Sequence, residues 1–377
     1  MFTPISGSSF NQLARNTYAT VLDGRVQGSR NGDITCVNNA ILNLTKPQNR
    51  HLYLEGRKSN IIAQIAETFW VMAGDDRVNP FLSFYLPRAG DYSDDGHCWR
   101  GAYGPRLYVY NQLQEALDVF TTDGLTTRQS IIQILLPEFD AKENLLSGTI
   151  SGDKIEKTKD RPCNNELVFF CVPNEDGTYS LNLNVFQRSG DAIWGALNIN
   201  VFEWTFLMEL FVNNLNARHE ETIVLGEYTH FVTNLHIYDN TASQGKAVVQ
   251  NAHEGILPGG WINNEGKLIA TGNIDDDRQF FMELVKELSK LIDDDESVDD
   301  MGTCSFYEDK IEEVFNGFGI PIEDNLLWEY ALAVLYHTLH KKGASKESIT
   351  GGVTPEFDPN HKDFDDCLRH SSFFKLL

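Results

Sequence analysis

The first two thirds of the chain alternates between short apolar runs typical of strands and longer runs spaced for helices. Residues 60–72 carry apolar side chains at helical spacing and stop before Gly74, which predicts a helix that ends there. Residues 166–172 and 181–187 are apolar runs of strand length, and the turn residues 174–177 between them predict a hairpin. This pattern predicts a domain that combines helices with a sheet.

The segment 89–104 is polar and rich in glycine and aspartate, so it is predicted to be a long loop. Loops of that length inside compact domains are often functional. The remaining predicted elements are helices over 112–120 and 202–215 and strands over 130–136, 222–225 and 234–238.

After about residue 270 the pattern becomes helical, with periodic segments at 279–292, 306–318 and 325–339. The acidic residues between 293 and 300 are typical of a solvated helix end or loop rather than of a metal site. We therefore predict a main domain over residues 1–270 and a helical C-terminal extension over residues 271–377.

The composition agrees with a soluble globular protein. The chain has 377 residues, of which 41% are hydrophobic and 23% charged, enough for one large domain or two ordinary ones. Its 31 basic and 54 acidic residues give a net charge of −23, which disfavours nucleic acid or an anionic membrane as a partner. A small phosphorylated ligand remains compatible, because a few arginines in one pocket outweigh the average field.

The N-terminal residues lack the pattern of a secretory signal, and no apolar run approaches the roughly 18 residues of a membrane span. The six cysteines are scattered, without the spacing of a zinc site. These features predict a cytoplasmic protein with reduced thiols and no metal.

Residues suited to chemistry are concentrated between positions 161 and 240. Each motif alone is weak evidence for a function. A cysteine before a strand, such as Cys163, is typically a small core residue, and a histidine among apolar neighbours, such as His236, is typically a buried structural residue. The informative segments are 161–164 (RPCN), 187–191 (QRSGD), 195–199 (GALNI), 226–230 (GEYTH) and 236–240 (HIYDN).

In this order the segments resemble the thymidylate synthase family, which includes the deoxypyrimidine nucleotide hydroxymethylases. The resemblance extends upstream to residues 29–32 (SRNG), 67–75, 100–104 (RGAYG) and 127–129 (TRQ), and covers about residues 15–245. It implies an α+β fold with a large mixed sheet and flanking helices on one face. It also implies a homodimer, with the second subunit on the other face of the sheet.

The resemblance assigns catalytic roles. Cys163 would attack C6 of a pyrimidine as a thiolate, because C5 becomes nucleophilic only after such an addition. The co-substrate implied is 5,10-methylenetetrahydrofolate, which supplies the one-carbon unit. Glu67 would relay protons through water, and Tyr103 and Asn164 would belong to the network around the nucleophile.

It also assigns binding roles. Gln129 stands where most members have a second arginine, so one phosphate-binding charge is missing. Asp191 and Trp70 would bind the folate. The nucleotide would be bound by Arg30, Arg188, Ser189, His236 and Tyr238 of one chain and by Arg128 of the partner chain. The alternative for Arg128 is an ordinary surface arginine without a role in binding.

Asn198 resembles the asparagine that reads the pyrimidine edge, and Asn200 is its competitor. An amide both donates and accepts, so it satisfies N3–H and O4 of uracil. A carboxylate at this position marks the cytosine-directed members of the family. Asparagine therefore favours dUMP over dCMP.

The resemblance implies an intermediate with an exocyclic methylene on the pyrimidine. Hydride converts this methylene to a methyl group and water converts it to a hydroxymethyl group, so the product depends on water in the site. Residues 84–88 (FYLPR) replace a tryptophan pair, Asn164 replaces a histidine, and residues 369–377 lack the closing His-Pro-x-Ile-Lys segment. These differences predict hydroxymethylation of dUMP, as in phages that replace thymine. The alternatives are a thymidylate synthase, a dCMP hydroxymethylase and a catalytically silent nucleotide-binding relative.

Overall fold

The computed structural model describes residues 2–140, 158, 160–253, 266–295, 298–350, 364–365 and 367–368. Its strands are β1 (Thr3–Gly7), β2 (Arg25–Ser29), β3 (Gly32–Leu44), β4 (Ile131–Gln133), β5 (Asn164–Pro173), β6 (Tyr179–Gln187), β7 (Gly190–Asp191) and β8 (Ile223–Tyr238).

Helices precede, interrupt and follow these strands. They are α1 (Phe10–Leu22), α2 (Ile61–Met72), α3 (Ser83–Tyr85), α4 (Gly104–Tyr108), α5 (Gln112–Thr122), α6 (Pro137–Asp140), α7 (Val201–Asn216), α8 (Ala242–His253), α9 (Ile274–Asp293), α10 (Met301–Gly317), α11 (Leu326–Lys341) and α12 (Lys346–Thr350). Short irregular helical turns occur at Val78–Leu82, Ala89–Tyr92, Val109–Asn111 and Gly195–Asn200.

The strands form one mixed sheet in the order β1-β3-β8-β6-β5-β4, with β2 paired to β3 and β7 paired to β8. The pairs β1–β3, β6–β8 and β7–β8 are parallel, and the other pairs are antiparallel. The predicted α+β fold with a mixed sheet is thereby confirmed.

One face of this sheet is covered by helices. On β6, Leu181, Leu183 and Val185 alternate with half-exposed residues and are fully buried. Phe169 of β5 stacks on Phe211 of α7 with ring centroids 3.9 Å apart. The opposite face is less covered, since Phe186 of β6 remains 38% exposed. Burial of the strand faces is thus unequal, as expected for a sheet with helices on one side.

Most predicted elements are confirmed, and the exceptions lie in strands. The segments 222–225 and 234–238 belong to a single strand, β8, because β8 pairs along its length with β3 and β6. Gly226 makes this possible, since an added Cβ there would lie 2.6 Å from Asn182 Oδ1. The predicted strand 130–136 is shorter, because only Ile131–Gln133 pairs with β5 before Pro137 begins α6.

The C-terminal helices share the core of the main domain. Phe281 of α9 lies 5.7 Å from Phe69 of α2 and 5.8 Å from Phe206 of α7, measured between ring centroids. Tyr330 of α11 packs 5.6 Å from Phe202. The helices predicted beyond residue 270 are confirmed, and the domain boundary at 270 stays a prediction.

The acidic segment before α10 forms a helix start. The Asp300 carboxylate accepts a hydrogen bond from the Thr303 backbone N–H at 2.8 Å, so it caps the helix. All six cysteines are free thiols. Within the described ranges, no helix combines the length and apolar composition that a membrane crossing needs.

Candidate active site

Cys163 lies in a turn whose backbone carbonyl groups accept hydrogen bonds from Arg188. The antiparallel pairing of β5 and β6 places Asn164 opposite Gln187, so the two motifs meet at one end of the hairpin. The Arg188 backbone N–H donates to Cys163 O at 3.0 Å. Its guanidinium donates to Pro162 O at 3.0 Å and to Arg161 O at 2.8 Å. The sheet thus brings together the motif at Cys163 and the motif that begins 24 residues later at Gln187.

Charges around Cys163 act in opposite directions. Burial raises the pKa of the Cys163 thiol, and the positive charge of Arg188 lowers it. Asp160 raises the same pKa and Arg30 lowers it. Asp160 accepts a hydrogen bond from the Trp99 indole at 2.7 Å. The two arginines therefore offset part of the cost of forming a thiolate in a buried position.

Tyr103 lies near Cys163. Its ring packs 5.4 Å from Trp204, and the Asn164 backbone N–H lowers the pKa of its phenol. Burial raises the pKa of Tyr103 well above its usual range, and the charges of Cys163 and Glu203 raise it further. Tyr103 is therefore a neutral phenol at the edge of the pocket.

Two carboxyl groups, that of half-buried Glu67 and that of buried Glu203, have raised pKa values. Burial raises the pKa of Glu67 on α2 to about 8. Glu203, in the first turn of α7, is 0% exposed, and burial followed by the charge of Glu67 raises its pKa well above the usual range. Sequence reasoning missed Glu203; the available signal was that the apolar run 202–215 contains two acids, Glu203 and Glu209.

The two candidate asparagines have different partners. Asn198 Oδ1 accepts from Gln64 Nε2 at 2.5 Å, and its amide N–H donates to Trp194 O at 3.4 Å. Asn200 Oδ1 accepts from Gln187 Nε2 at 3.0 Å, and Asn200 Nδ2 donates to Glu203 at 3.4 Å. Asn200 is thus joined to the strand end that holds Arg188.

Buried polar atoms near Cys163 have unused hydrogen-bonding capacity. Among the described residues no hydrogen-bond partner is found for these atoms, and such groups in native proteins are satisfied by water or a ligand. A planar, polar heterocycle such as a pyrimidine fits this chemistry. The atoms are both amide atoms of Asn164, Gln187 Oε1, Glu203 Oε1, Trp204 Nε1 and His230 Nε2.

The predicted phosphate and sugar ligands lie at adjoining strand ends. Arg30 is exposed in the turn between β2 and β3, where Gly32 has a φ of 112°. Asn31 Nδ2 donates to Tyr238 Oη at 3.5 Å, which joins this turn to the end of β8. The Tyr238 ring packs edge-on against His236, with centroids 4.9 Å apart. Burial lowers the pKa of His236, so its imidazole is neutral at pH 7.

The predicted folate ligands have unequal access. Asp191 pairs with His236 across β7 and β8, and burial raises its pKa to about 6. Trp70 is 1% exposed, and its indole N–H donates to Arg77 O at 2.9 Å. Its ring packs 6.1 Å from Trp99, which stacks on Tyr92. Trp70 therefore supports an aromatic pair from within the core.

Other predicted residues are not tied to this cluster. Arg128 is exposed just before β4, and within the described part of one chain no hydrogen bond or ion pair joins it to Cys163 or Arg188. Ser189 is half-buried beside Arg188. Residues 369–377, on which the argument about a closing segment depends, lie outside the described residues.

Comparison with known proteins decides the family. The family model described as thymidylate synthase matches residues 22–277. The chain belongs to the thymidylate synthase family. Among its relatives within the family, it is 35% identical over 359 residues to the deoxyuridylate hydroxymethyltransferase of Delftia phage PhiW-14, covering 94% of this chain and 91% of that one.

Other members of the thymidylate synthase family match over shorter spans. The deoxyuridylate hydroxymethyltransferase of Bacillus phage SP01 is 31% identical over 251 residues, 63% of this chain and 59% of that one. The thymidylate synthase of Lactococcus lactis subsp. lactis (strain IL1403) is 26% identical over 148 residues, 39% of this chain and 45% of that one. Because the PhiW-14 alignment covers 94% of this chain, it includes most of the C-terminal helices.

Proposed function

We propose that this protein converts dUMP to 5-hydroxymethyl-dUMP, with 5,10-methylenetetrahydrofolate as the one-carbon donor. The observation that carries the proposal is the match to a deoxyuridylate hydroxymethyltransferase across more than nine tenths of both chains. The grouping of Cys163, Arg188 and Tyr103 at one hairpin end supports it. If the chain is phage-encoded, like the relatives with this name, the reaction takes place in the cytoplasm of the host.

Nucleotide binding follows from the charges at the strand ends. Arg30, Arg188 and Ser189 would contact the phosphate, and Arg128 from a second copy of the chain would add a further positive charge. Tyr238 and neutral His236 would contact the sugar hydroxyl. These contacts explain how a chain of net charge −23 binds an anion.

In the covalent step, the Cys163 thiolate forms a bond to C6, and the ring electrons move towards C5 and O4. C5 then bonds the new carbon and loses its proton. The folate supplies that carbon at the oxidation level of formaldehyde and leaves as tetrahydrofolate. Neutral Glu67 would exchange protons with the ring through water. Water adds to the exocyclic methylene, and expulsion of the Cys163 thiolate from C6 restores the ring.

We propose Asn200 rather than Asn198 as the residue that reads the base. Its hydrogen bond to Gln187 ties it to the strand that continues into Arg188. Asn198 is instead bonded to Gln64 of α2 and to a backbone carbonyl. For the folate, we propose that Asp191 binds the pterin and that Trp70 acts indirectly, by supporting Trp99.

Two features favour water over hydride in the last step. The unpartnered buried atoms around Asn164 form a polar environment that would bind water. The segment that replaces the synthases' tryptophan pair contacts α11. The Tyr85 hydroxyl forms a hydrogen bond with the Thr338 hydroxyl at 2.6 Å, and the Lys341 ammonium lies 4.2 Å from the Phe84 ring centroid. The segment at the position of the tryptophan pair is therefore anchored to a C-terminal helix.

We also propose a homodimer formed through the less covered face of the sheet. Phe186 of β6 and Phe231 of β8 stack on that face, with centroids 4.9 Å apart and planes at 8°. A flat aromatic patch on a sheet is typical of a surface that another subunit covers. The arrangement would allow Arg128 to reach the site of the second copy.

The test is incubation of the protein with 5,10-methylenetetrahydrofolate and dUMP tritiated at C5. We expect tritium release and a product that co-elutes with 5-hydroxymethyl-dUMP. Formation of dTMP would instead identify a methylating synthase, and no release would indicate the silent relative. Cys163→Ala should abolish release. Cys171→Ala, a change of a buried cysteine on the same hairpin, should retain it.

A further inference from the structure

We propose that Glu203 is a positioning residue that determines base specificity: it orients the Asn200 amide so that the pocket accepts uracil and rejects cytosine. The inference rests on the proposed function, because it concerns the base on which that reaction takes place. It assigns a role to a buried acid that the catalytic steps above do not use.

The contacts define one orientation of the Asn200 amide. Its oxygen accepts from Gln187 at 3.0 Å, and its nitrogen donates to Glu203 Oε2 at 3.4 Å. All three side chains are buried. Asn200 is the residue before α7 and Glu203 lies three positions later, so the start of the helix sets their spacing. One N–H and one oxygen lone pair of Asn200 remain for a ligand.

This orientation matters because an asparagine amide reads either base if it is free to rotate. Uracil presents the N3–H donor and the O4 acceptor, whereas cytosine presents the N3 acceptor and a 4-amino donor. A half-turn of the amide exchanges its donor and acceptor and would match cytosine instead. An asparagine therefore selects uracil only if its neighbours prevent that half-turn.

Glu203 is better suited than Gln187 to prevent it. Gln187 is itself an amide whose Oε1 has no partner among the described residues, so it can turn together with Asn200 and keep a hydrogen bond. Glu203 offers Oε2 as an acceptor, and a rotated Asn200 would place its oxygen against that oxygen. Two facing acceptors in a buried site lose a hydrogen bond and repel each other.

The other oxygen of Glu203 suits the same role. Oε1 is buried without a partner in the described part of the chain, which leaves it available to carry the proton of a neutral acid. Burial raises the pKa of the Glu203 carboxyl, and ionisation of Glu67 would raise it further. A neutral Glu203 with its proton on Oε1 keeps Oε2 as the acceptor for Asn200.

The experiment compares kcat/KM for tritium release from C5 of dUMP and of dCMP. We expect Glu203→Leu to lower the dUMP-to-dCMP ratio at least about tenfold, because a site built on hydrogen bonds loses discrimination when one is removed. Glu203→Gln keeps the volume and one acceptor oxygen but replaces the single acid proton with two N–H donors, so it should lower the ratio less. A purely structural role would leave the ratio of the Gln variant unchanged.

Two control variants distinguish a loss of stability, an error in the choice of Asn200 and an error in the role of Glu203. Glu209→Gln changes another buried glutamate of α7, which pairs with Arg50, and should lower stability while keeping the ratio. Asn200→Asp should shift preference towards dCMP; an unchanged ratio would overturn the inference, because Asn200 would not read the base. If the unmodified protein releases no tritium from dUMP, the proposed function fails. If it is active and the Glu203→Gln and Glu203→Leu variants keep its ratio, only the role of Glu203 is refuted.

Discussion

Single residues in the pocket act through burial as much as through their chemical type. Glu67 and Glu203 are ordinary carboxylic acids, yet burial raises the pKa of Glu67 to about 8 and that of Glu203 well above its usual range. A neutral acid can donate a proton or a hydrogen bond, which a carboxylate cannot. The same burial disfavours the Cys163 thiolate, so the neighbouring arginines are needed for reactivity.

The raised pKa of Glu67 has a consequence for stability. The pKa of Glu67 is about 8 in the folded protein, compared with an ordinary value of 4.5 in the unfolded chain. Between pH 4.5 and 8 the folded state therefore holds a proton on Glu67 that the unfolded state has lost. The contribution of the protonated Glu67 is complete below pH 4.5 and is lost as the pH rises through 8. We expect Glu67→Gln to melt at a higher temperature than the unmodified protein at pH 8.5 and to lose this advantage at pH 5.

Thermal melts of both proteins at the two pH values measure this difference. Glu115→Gln, at an exposed position of α5, is the matched control and should melt like the unmodified protein at both. A melting difference for Glu67→Gln that does not change with pH would contradict the assignment of a raised pKa.

The sequence could locate Cys163 and Arg188 because their neighbours form recognisable motifs. It could not locate Glu203, because the apolar helix carries two acids, Glu203 and Glu209, and the sequence does not show which of them faces the site. The choice between Asn198 and Asn200 also stayed open, since both lie in the irregular turn Gly195–Asn200 where spacing alone is ambiguous. Our proposal of Asn200 rests on side-chain partners, which depend on the tertiary fold.

At the scale of elements, the C-terminal helices behave as part of the main core. Phe281 contacts aromatic rings of α2 and α7, and α2 also carries Glu67. The extension therefore supports the helices on which the site is built. Local periodicity was enough to predict these helices, but it contains no information on what they pack against.

Removal of the Phe281 ring should be costly. We expect Phe281→Ala to lower the free energy of unfolding by about 3–5 kcal/mol, because it leaves a cavity between helices. Met282→Ala, the next position on α9, is 41% exposed and should change it by less than about 1 kcal/mol. Urea denaturation measures both. Equal effects would show that the extension does not share the core.

Gly226 is the second test at this scale. The continuity of β8 was missed because polar residues on its outer face mask the alternation, whereas Gly226 permits close contact with β6. We expect Gly226→Ala to lower the free energy of unfolding by about 1–3 kcal/mol, since its Cβ would also meet Leu181 O at 2.8 Å. Gly90→Ala, where a Cβ meets no atom within 4 Å, should be neutral; a similar loss there would refute the steric argument.

At the scale of the whole molecule, the family fold was predictable from motifs spread over much of the chain. The subunit arrangement was not, because no property of one chain reports directly on its partner. The aromatic patch of Phe186 and Phe231 and the position of Arg128 are the features of one protomer that support a dimer.

Complementation tests the shared site. If Arg128 acts in the site of the other subunit, Cys163→Ala and Arg128→Ala proteins are each nearly inactive. After mixing with exchange of subunits, half of the dimers are mixed and each has one intact site, so about a quarter of full activity should return. Phe186→Asp should prevent dimer formation in size-exclusion chromatography with light scattering. No recovery on mixing would place Arg128 outside the shared site.

The contacts of residues 84 and 85 with α11 have a consequence for folding during translation. A ribosome synthesises residues 84, 85 and 163 long before it reaches Thr338 and Lys341, which contact Tyr85 and Phe84. The nascent chain must therefore wait, with the apolar surface of α2 uncovered, until translation is nearly finished. Activity can begin only after the last helices emerge, and chaperones are expected to protect the unfinished polypeptide until then.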